Sequence, residues 1–135
     1  MCVAMPHIII ECDEPHGLQG LPLAKALHNA AMAMEALPTG GIRTRLYCPD
    51  ASLTGDGAEE NGFCYVTVRL GKGRSESVRR EIGERLFGVL QDWAEPALSD
   101  NLPISLGLEV EEIEGLTFKR NTIHDLLKAK AGDVT

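Results

Sequence analysis

The pattern of apolar and polar residues divides this chain into two similar blocks. Each block begins with an apolar strand-like run, continues with apolar residues at helical spacing and ends with a second strand-like run. A polar segment over 49–61 separates the blocks, and a short third helix is predicted over 124–130. The predicted strands cover 6–12, about 42–48, 63–70 and 104–110.

Residues that start and stop helices mark the two longer helices. The first helix has Pro22 near its start, where a missing N–H does no harm, and is stopped by the segment 38–41 (PTGG). The second helix is capped by Ser75 or Ser77, because a serine hydroxyl accepts a backbone N–H at that position. Pro96 and Pro103 are expected to bracket the exit from this second helix.

The order of the elements predicts an α+β fold with one domain over 1–135. Each strand–helix–strand block is expected to form a right-handed β-α-β crossover with parallel strands. Packing both helices on one face of a four-stranded mixed sheet gives a two-layer domain. The other face of the sheet is then uncovered. We expect that face to be apolar and to require a partner, which indicates a homo-oligomer.

Composition and charge exclude several classes of partner. The chain has 13 basic and 20 acidic residues, and its net charge of −7 disfavours binding to nucleic acid or to anionic membranes. No apolar run approaches the length that crosses a bilayer, and the first residues lack the pattern of a signal peptide. The cysteines form no C-x-x-C pair and the histidines show no ligand spacing. We therefore expect no metal and a location in the reducing cytoplasm.

The first predicted strand begins with Met5 and Pro6, which offer an unusual candidate for a general base. If translation starts at Met5 and that methionine is removed, Pro6 carries a free secondary amine instead of an amide. Burial and neighbouring cations lower the pKa of such an amine toward neutrality, where it is most useful for proton transfer. We therefore expect 1–5 to be absent from the active form. The alternative is that Pro6 is an internal residue that starts a strand, where its missing donor is tolerated.

Three arginines are candidates for binding an anionic substrate. Arg43 and Arg45 lie two residues apart on the second predicted strand, so their side chains leave the same face of the sheet. Arg74 follows the turn 71–73 (GKG), just before the second helix. A guanidinium group binds carboxylates through paired hydrogen bonds, which suits all three to such a site. The alternative is that each is an ordinary solvated surface residue.

Segments of the chain, taken in order, resemble the 5-carboxymethyl-2-hydroxymuconate Δ-isomerase family of the tautomerase superfamily. These segments are 5–12 (MPHIIIEC), 41–45 (GIRTR), 71–75 (GKGRS) and 116–124 (LTFKRNTIH). The resemblance implies a homotrimer of two-layer subunits that uses neither a cofactor nor a metal. It also implies that Pro6 is the general base and that Arg43 and Arg74 bind the carboxylates of the substrate, whereas Arg45 lies beside its motif.

The resemblance predicts an isomerase that shifts a double bond in 5-carboxymethyl-2-hydroxymuconate, or in a similar dienol with two or three carboxylates, during bacterial catabolism of aromatic compounds. Other functions fit the same residues. One is a catalytically silent trimer that binds an anionic ligand, and another is a tautomerase that acts on a different 2-oxo acid. The chemical state of the amino terminus separates the isomerase from the silent trimer, because an acylated proline nitrogen is not basic.

Overall fold

A four-stranded sheet organises the chain in a computed structural model that describes residues 6–134. The strands are β1 (His7–Cys12), β2 (Arg43–Tyr47), β3 (Gly62–Leu70) and β4 (Ile104–Glu112), in the spatial order β2-β1-β3-β4. β1 pairs with β2 in parallel and β3 pairs with β4 in parallel, whereas β1 and β3 are antiparallel. The predicted mixed sheet of two β-α-β blocks is therefore confirmed. The expected extension over 1–5 lies outside the described residues.

Two long helices cover one face of this sheet and form the second layer. α1 is Gly20–Met32, α2 is Glu76–Ser99, and a third helix, α3, is Ile123–Val134. Alternate strand residues and one stripe of each long helix are withdrawn from solvent, as the apolar periodicity requires. The largest of these core side chains include Ile8, Ile10, Val66, Val68, Leu23, Leu27, Ile82, Leu86 and Leu90. Within the described part of the chain, no helix is long and apolar enough to cross a membrane.

α1 is shorter than its apolar pattern predicts, because the pattern continues beyond the helix. The helix ends at Met32, but Met34 and Leu37 remain buried in the turns that follow. Those turns continue the hydrogen bonding, with the amide of Met34 donating to the carbonyl of Ala31 at 3.0 Å and the amide of Leu37 to Met34 at 3.1 Å. Apolar spacing alone therefore places the end of the helix several residues too late.

α2 begins and ends where the sequence predicts. The Ser75 hydroxyl accepts the amide of Val78 at 3.2 Å, which makes Ser75, and not Ser77, the N-cap. The helix continues through Pro96 and ends at Ser99, so its exit lies between Pro96 and Pro103 as expected. Pro96 is exposed in the last turn, where solvent can satisfy the carbonyl that loses its partner.

No helix among residues 6–134 covers the second face of the sheet, and this face is not the apolar one that the sequence predicts. Its charged residues lie mostly on the two edge strands, with Arg43 and Arg45 on β2 and Glu109 and Glu111 on β4. Apolar and aromatic residues also contribute to this face, and they include Ile9, Tyr47, Phe63 and Tyr65. The uncovered face is therefore amphipathic, with a basic edge strand and an acidic edge strand.

Candidate active site

The start of β1 and the start of β2 lie side by side where these strands begin. This margin across the strand ends is a different edge of the sheet from the edge strands β2 and β4, and the candidate base lies on it. The backbone amide of Arg43 donates to the carbonyl oxygen of Pro6 at 3.0 Å, immediately before the first registered pair, His7 with Arg43. Pro6 is buried within the full-length chain. A base at this position would be held in place by the sheet backbone.

The side chain of Arg43 turns back toward the residues that precede β2. Its Nη1 donates to the carbonyl oxygen of Gly41 at 2.8 Å. Gly41 ends a short 3-10 turn, Thr39–Gly41, which joins the loop after α1 to β2. This hydrogen bond restricts the guanidinium near the start of β1, where Pro6 lies.

Arg74 reaches the same edge of the sheet from the second block. β3 runs antiparallel to β1, so its last residues lie beside the start of β1, and Arg74 follows in the turn after β3. Its Nε and Nη2 donate to the carbonyl oxygen of Ala36 at 3.3 and 3.0 Å, and its Nη1 donates to that of Gly71 at 3.2 Å. Pro6, Arg43 and Arg74 therefore share one edge of the sheet.

Arg45 is directed elsewhere, across the uncovered face toward β1. Its Nη1 lies 3.0 Å from Nδ1 of His7. Partial burial lowers the pKa of His7, and the positive charges of Arg45, Arg43 and Arg69 lower it further. A neutral imidazole can accept the arginine N–H at Nδ1, so Arg45 and His7 form a polar pair beside the candidate base.

Asn121 and His124, to which the sequence assigned no individual role, pack against the same edge. The Asn121 side-chain amide donates to the carbonyl oxygen of Gly40 at 2.8 Å. A Cβ atom built on Gly40 would lie 2.6 Å from Nδ1 of His124, so the imidazole lies directly against the glycine backbone. Asn121 also accepts the amide of Ile123 at 2.7 Å. This hydrogen bond closes an Asx turn just before α3, which is a signal that the turn rules could have found.

The chemistry of this edge is that of an anion site beside a potential amine base. Guanidinium groups supply the donors, and the nitrogen of Pro6 is the candidate proton acceptor. Over the described residues 6–134, no group of three or more His, Cys, Asp or Glu side chains could hold a metal ion. Arg43 and Arg74 suit the carboxylates of a small molecule.

Known proteins resemble this chain over almost all of its length. A relative from Escherichia coli, 5-carboxymethyl-2-hydroxymuconate Delta-isomerase, is 34% identical over 127 residues, which cover 92% of this chain and 100% of the relative. The crystal structure of a 5-carboxymethyl-2-hydroxymuconate isomerase from Deinococcus radiodurans R1 superposes with a TM-score of 0.84 at 30% identity, covering 92% of this chain and 95% of that one.

More distant structures share the fold alone. A symmetric trimer of fused 4-OT superposes with a TM-score of 0.54 at 15% identity, covering 88% of this chain and 98% of that one.

The profile of the 5-carboxymethyl-2-hydroxymuconate isomerase family matches residues 6–127. That match begins at Pro6 and includes each candidate site residue discussed above. The chain therefore belongs to the 5-carboxymethyl-2-hydroxymuconate isomerase family.

Proposed function

We propose that this protein isomerises 5-carboxymethyl-2-hydroxymuconate, with Pro6 as the general base and with Arg43 and Arg74 as ligands of the substrate carboxylates. The observation that carries the proposal is the position of these three residues at one edge of the sheet. Pro6 and Arg43 are joined there by a backbone hydrogen bond, and Arg74 arrives from the other block. The family membership of the chain supports the choice of substrate.

The proposed reaction moves one proton and shifts the double bonds of the dienol. The nitrogen of Pro6 accepts the proton of the 2-hydroxyl group, and the electron pair of that O–H bond forms the carbonyl. The conjugated double bonds shift by one position, and the carbon at the far end of the diene takes a proton from the prolinium. One group both accepts and returns the proton, so the balance needs no cofactor, oxidant or reductant.

The arginines would stabilise the negative charge that develops during this transfer. Charge moves from the hydroxyl oxygen through the conjugated system, and guanidinium groups fixed by backbone carbonyls are already oriented to receive it. Arg43 and Arg74 are each held in this way, by Gly41 and by Ala36 and Gly71 respectively. Arg45 bonds to His7 instead, so we assign it a supporting role in the electrostatics of the base and no direct contact with substrate.

We also propose that the protein is a homotrimer. The uncovered sheet face has a basic edge strand with Arg43 and Arg45 and an acidic edge strand with Glu109 and Glu111. Arg43 is assigned to the substrate and Glu111 pairs with Arg69 of its own subunit at 2.9 Å, so pairing between copies would rest on Arg45 and Glu109. These opposite charges suit a closed ring, in which β2 of one copy approaches β4 of the next. The fused 4-OT neighbour, which shares this fold, is a symmetric trimer, and this supports an assembly of three copies. Location in the cytoplasm stays a prediction.

The test is an assay of purified protein whose mass shows that it begins at Pro6. We expect the ultraviolet absorbance of 5-carboxymethyl-2-hydroxymuconate to change at a rate proportional to protein concentration, and we expect sedimentation to give a trimer. Faster turnover of a 2-hydroxydienoate that lacks the carboxymethyl group would favour a tautomerase of another 2-oxo acid. Binding of the dienol without any turnover would identify a silent anion-binding protein and contradict the proposal.

A further inference from the structure

We propose that Asn121 and His124 are positioning residues, which hold the turn Thr39–Gly41 and thereby orient Arg43. This inference rests on the proposed function, because it assigns Arg43 to the substrate site. The segment 116–124 is one of those that carry the family resemblance, yet the mechanism above gives it no task. The contacts that Asn121 and His124 make with Gly40 indicate a role for this segment.

Both side chains act on the same residue, Gly40. The Asn121 amide donates to the Gly40 carbonyl oxygen at 2.8 Å, and the His124 ring lies against the Gly40 backbone. Gly40 is buried, and only a glycine admits an imidazole so close, because a Cβ there would lie 2.6 Å from Nδ1. The turn is therefore pressed between the sheet and the start of α3.

The turn Thr39–Gly41 is short, and its own hydrogen bonds stabilise it only weakly. The amide of Gly41 donates to the carbonyl of Pro38 at 3.0 Å, and the amide of Ile42 donates to that of Thr39 at 3.2 Å. A 3-10 turn of this length has poor intrinsic stability, so contacts from outside it determine how well it is fixed. The contacts to Gly40 from Asn121 and His124 supply that restraint.

Fixing the turn fixes the carbonyl oxygen that holds the Arg43 side chain. Gly41 follows Gly40 directly, and its carbonyl oxygen accepts Nη1 of Arg43 at 2.8 Å. A guanidinium has further N–H donors, so this one bond can set the plane of the group while other donors face a carboxylate. A tilt of the Gly41 carbonyl would rotate the plane of Arg43 away from the edge where Pro6 lies.

Asn121 permits a sharp test, because its two hydrogen bonds can be separated. Asn121→Asp and Asn121→Ser both keep an oxygen that can accept the amide of Ile123, so the side-chain turn that precedes α3 survives. Asp lacks the N–H that donates to Gly40, and Ser is too short to reach it. The serine variant controls for the added charge of the aspartate.

The matched control is Asn61→Ser at the opposite end of the sheet. Asn61 donates its side-chain amide to the backbone carbonyl of Thr54 at 3.0 Å and to the carboxylate of Asp56 at 2.8 Å, so serine is used to avoid a second carboxylate there. Asn61 lies just before β3, far along the strands from Pro6, and no role in the site is assigned to it. The control therefore removes the same kind of bond without touching the turn that precedes Arg43.

Two readouts test the proposal in the intact protein that begins at Pro6. Amide hydrogen exchange at Gly41 and Ile42 should accelerate in both Asn121 variants and stay unchanged in Asn61→Ser. In the assay of the dienol, kcat/KM should fall by about 10- to 100-fold in the Asn121 variants, as expected for a misplaced substrate-binding group. On an Arg43→Ala background the same substitutions should change kcat/KM by less than about twofold, because the oriented group is already absent.

The outcomes separate this proposal from the proposed function. Unchanged exchange at Gly41 and Ile42 in the Asn121 variants would overturn it, whatever the activity. An equal loss of kcat/KM with and without Arg43 would also overturn it and would indicate a general structural role for Asn121. A wild-type protein that is inactive on the dienol contradicts the isomerase function, while the exchange measurement still decides whether Asn121 holds the turn.

Discussion

The carbonyl oxygen of Pro6 accepts the backbone amide of Arg43, with 3.0 Å between the nitrogen and the oxygen. The candidate base and a candidate substrate ligand are therefore connected through the backbone of two paired strands. Substitution of the Arg43 side chain leaves this hydrogen bond intact. The contribution of the guanidinium to catalysis can consequently be measured with the position of Pro6 held constant.

Arg43→Ala and Arg74→Ala should each lower kcat/KM for the dienol. Loss of one charge-assisted contact costs roughly 1.5–3 kcal/mol, or about one to two orders of magnitude in rate. Lysine should restore only part of the activity, since it is a point charge without the planar fork. Arg80→Ala is the control, because Arg80 is exposed and pairs within its own helix with Glu76 at 3.3 Å. Wild-type rates in both site variants would make Arg43 and Arg74 surface residues.

A free amine at Pro6 should be essential for activity. An amide nitrogen has donated its lone pair to the peptide bond, so a chain that retains 1–5 lacks the base. We expect such a chain to be slower by roughly 10²–10⁴-fold than one that begins at Pro6. The comparison uses chains started at Met1 and at Met5, each checked by intact mass before the assay. Equal activity from a chain proven to retain Met1 would exclude Pro6 as the general base.

His7 should make the protein less stable as the pH falls below neutrality. Burial, followed by Arg45, Arg43 and Arg69, lowers its pKa in the folded state below the ordinary value of 6.5. The unfolded chain therefore binds the proton first, and the free energy of unfolding falls as the pH drops from above 6.5 toward the lowered pKa. Urea unfolding at several pH values and one protein concentration should give a flatter profile for His7→Gln. Parallel profiles for the two proteins would contradict this assignment.

Gly40→Ala should destabilise the protein, and a second substitution should relieve part of that cost. The new methyl group would lie 2.6 Å from Nδ1 of His124, which forces the imidazole or the turn to move. His124→Ala removes the atoms that the methyl group meets, so the double variant should be more stable than additivity of the two single variants predicts. Thermal unfolding of the four proteins measures this coupling. Strict additivity would mean that the His124 side chain moves away from the new methyl group at no cost in the free energy of unfolding.

Much of the fold follows from the sequence because apolar periodicity reports local burial. The order of strands and helices and the Ser75 cap are recoverable in that way, and the order of the elements brings Pro6, Arg43 and Arg74 to one edge. The end of α1 is not recoverable, because Met34 and Leu37 continue the apolar spacing although the helix ends at Met32. Apolar spacing reports burial, and it does not distinguish a helix from buried turns that follow it.

The character of the uncovered face also could not be predicted from the sequence. The alternation of side chains along β2 and β4 predicts which residues share a face of the sheet, but it does not show that these two strands are the outer strands. Arg45 and Glu109 appear far apart in sequence, and only the order β2-β1-β3-β4 shows that they lie on opposite margins of one surface. The contact of Asn121 with Gly40 also could not be predicted, because it joins residues 81 positions apart and depends on the tertiary fold.

The antiparallel pairing of β1 with β3 makes the two blocks mutually dependent. The first block contains Pro6 and Arg43, and the second contains Arg74. A chain divided within 49–61 would therefore yield two fragments, neither of which holds every proposed functional group. The fragment with Pro6 would have the base and one of the two proposed carboxylate ligands, Arg43, and the other fragment would have Arg74 without the base. Catalysis would then be a property of the reassembled pair, in the manner of fragment complementation.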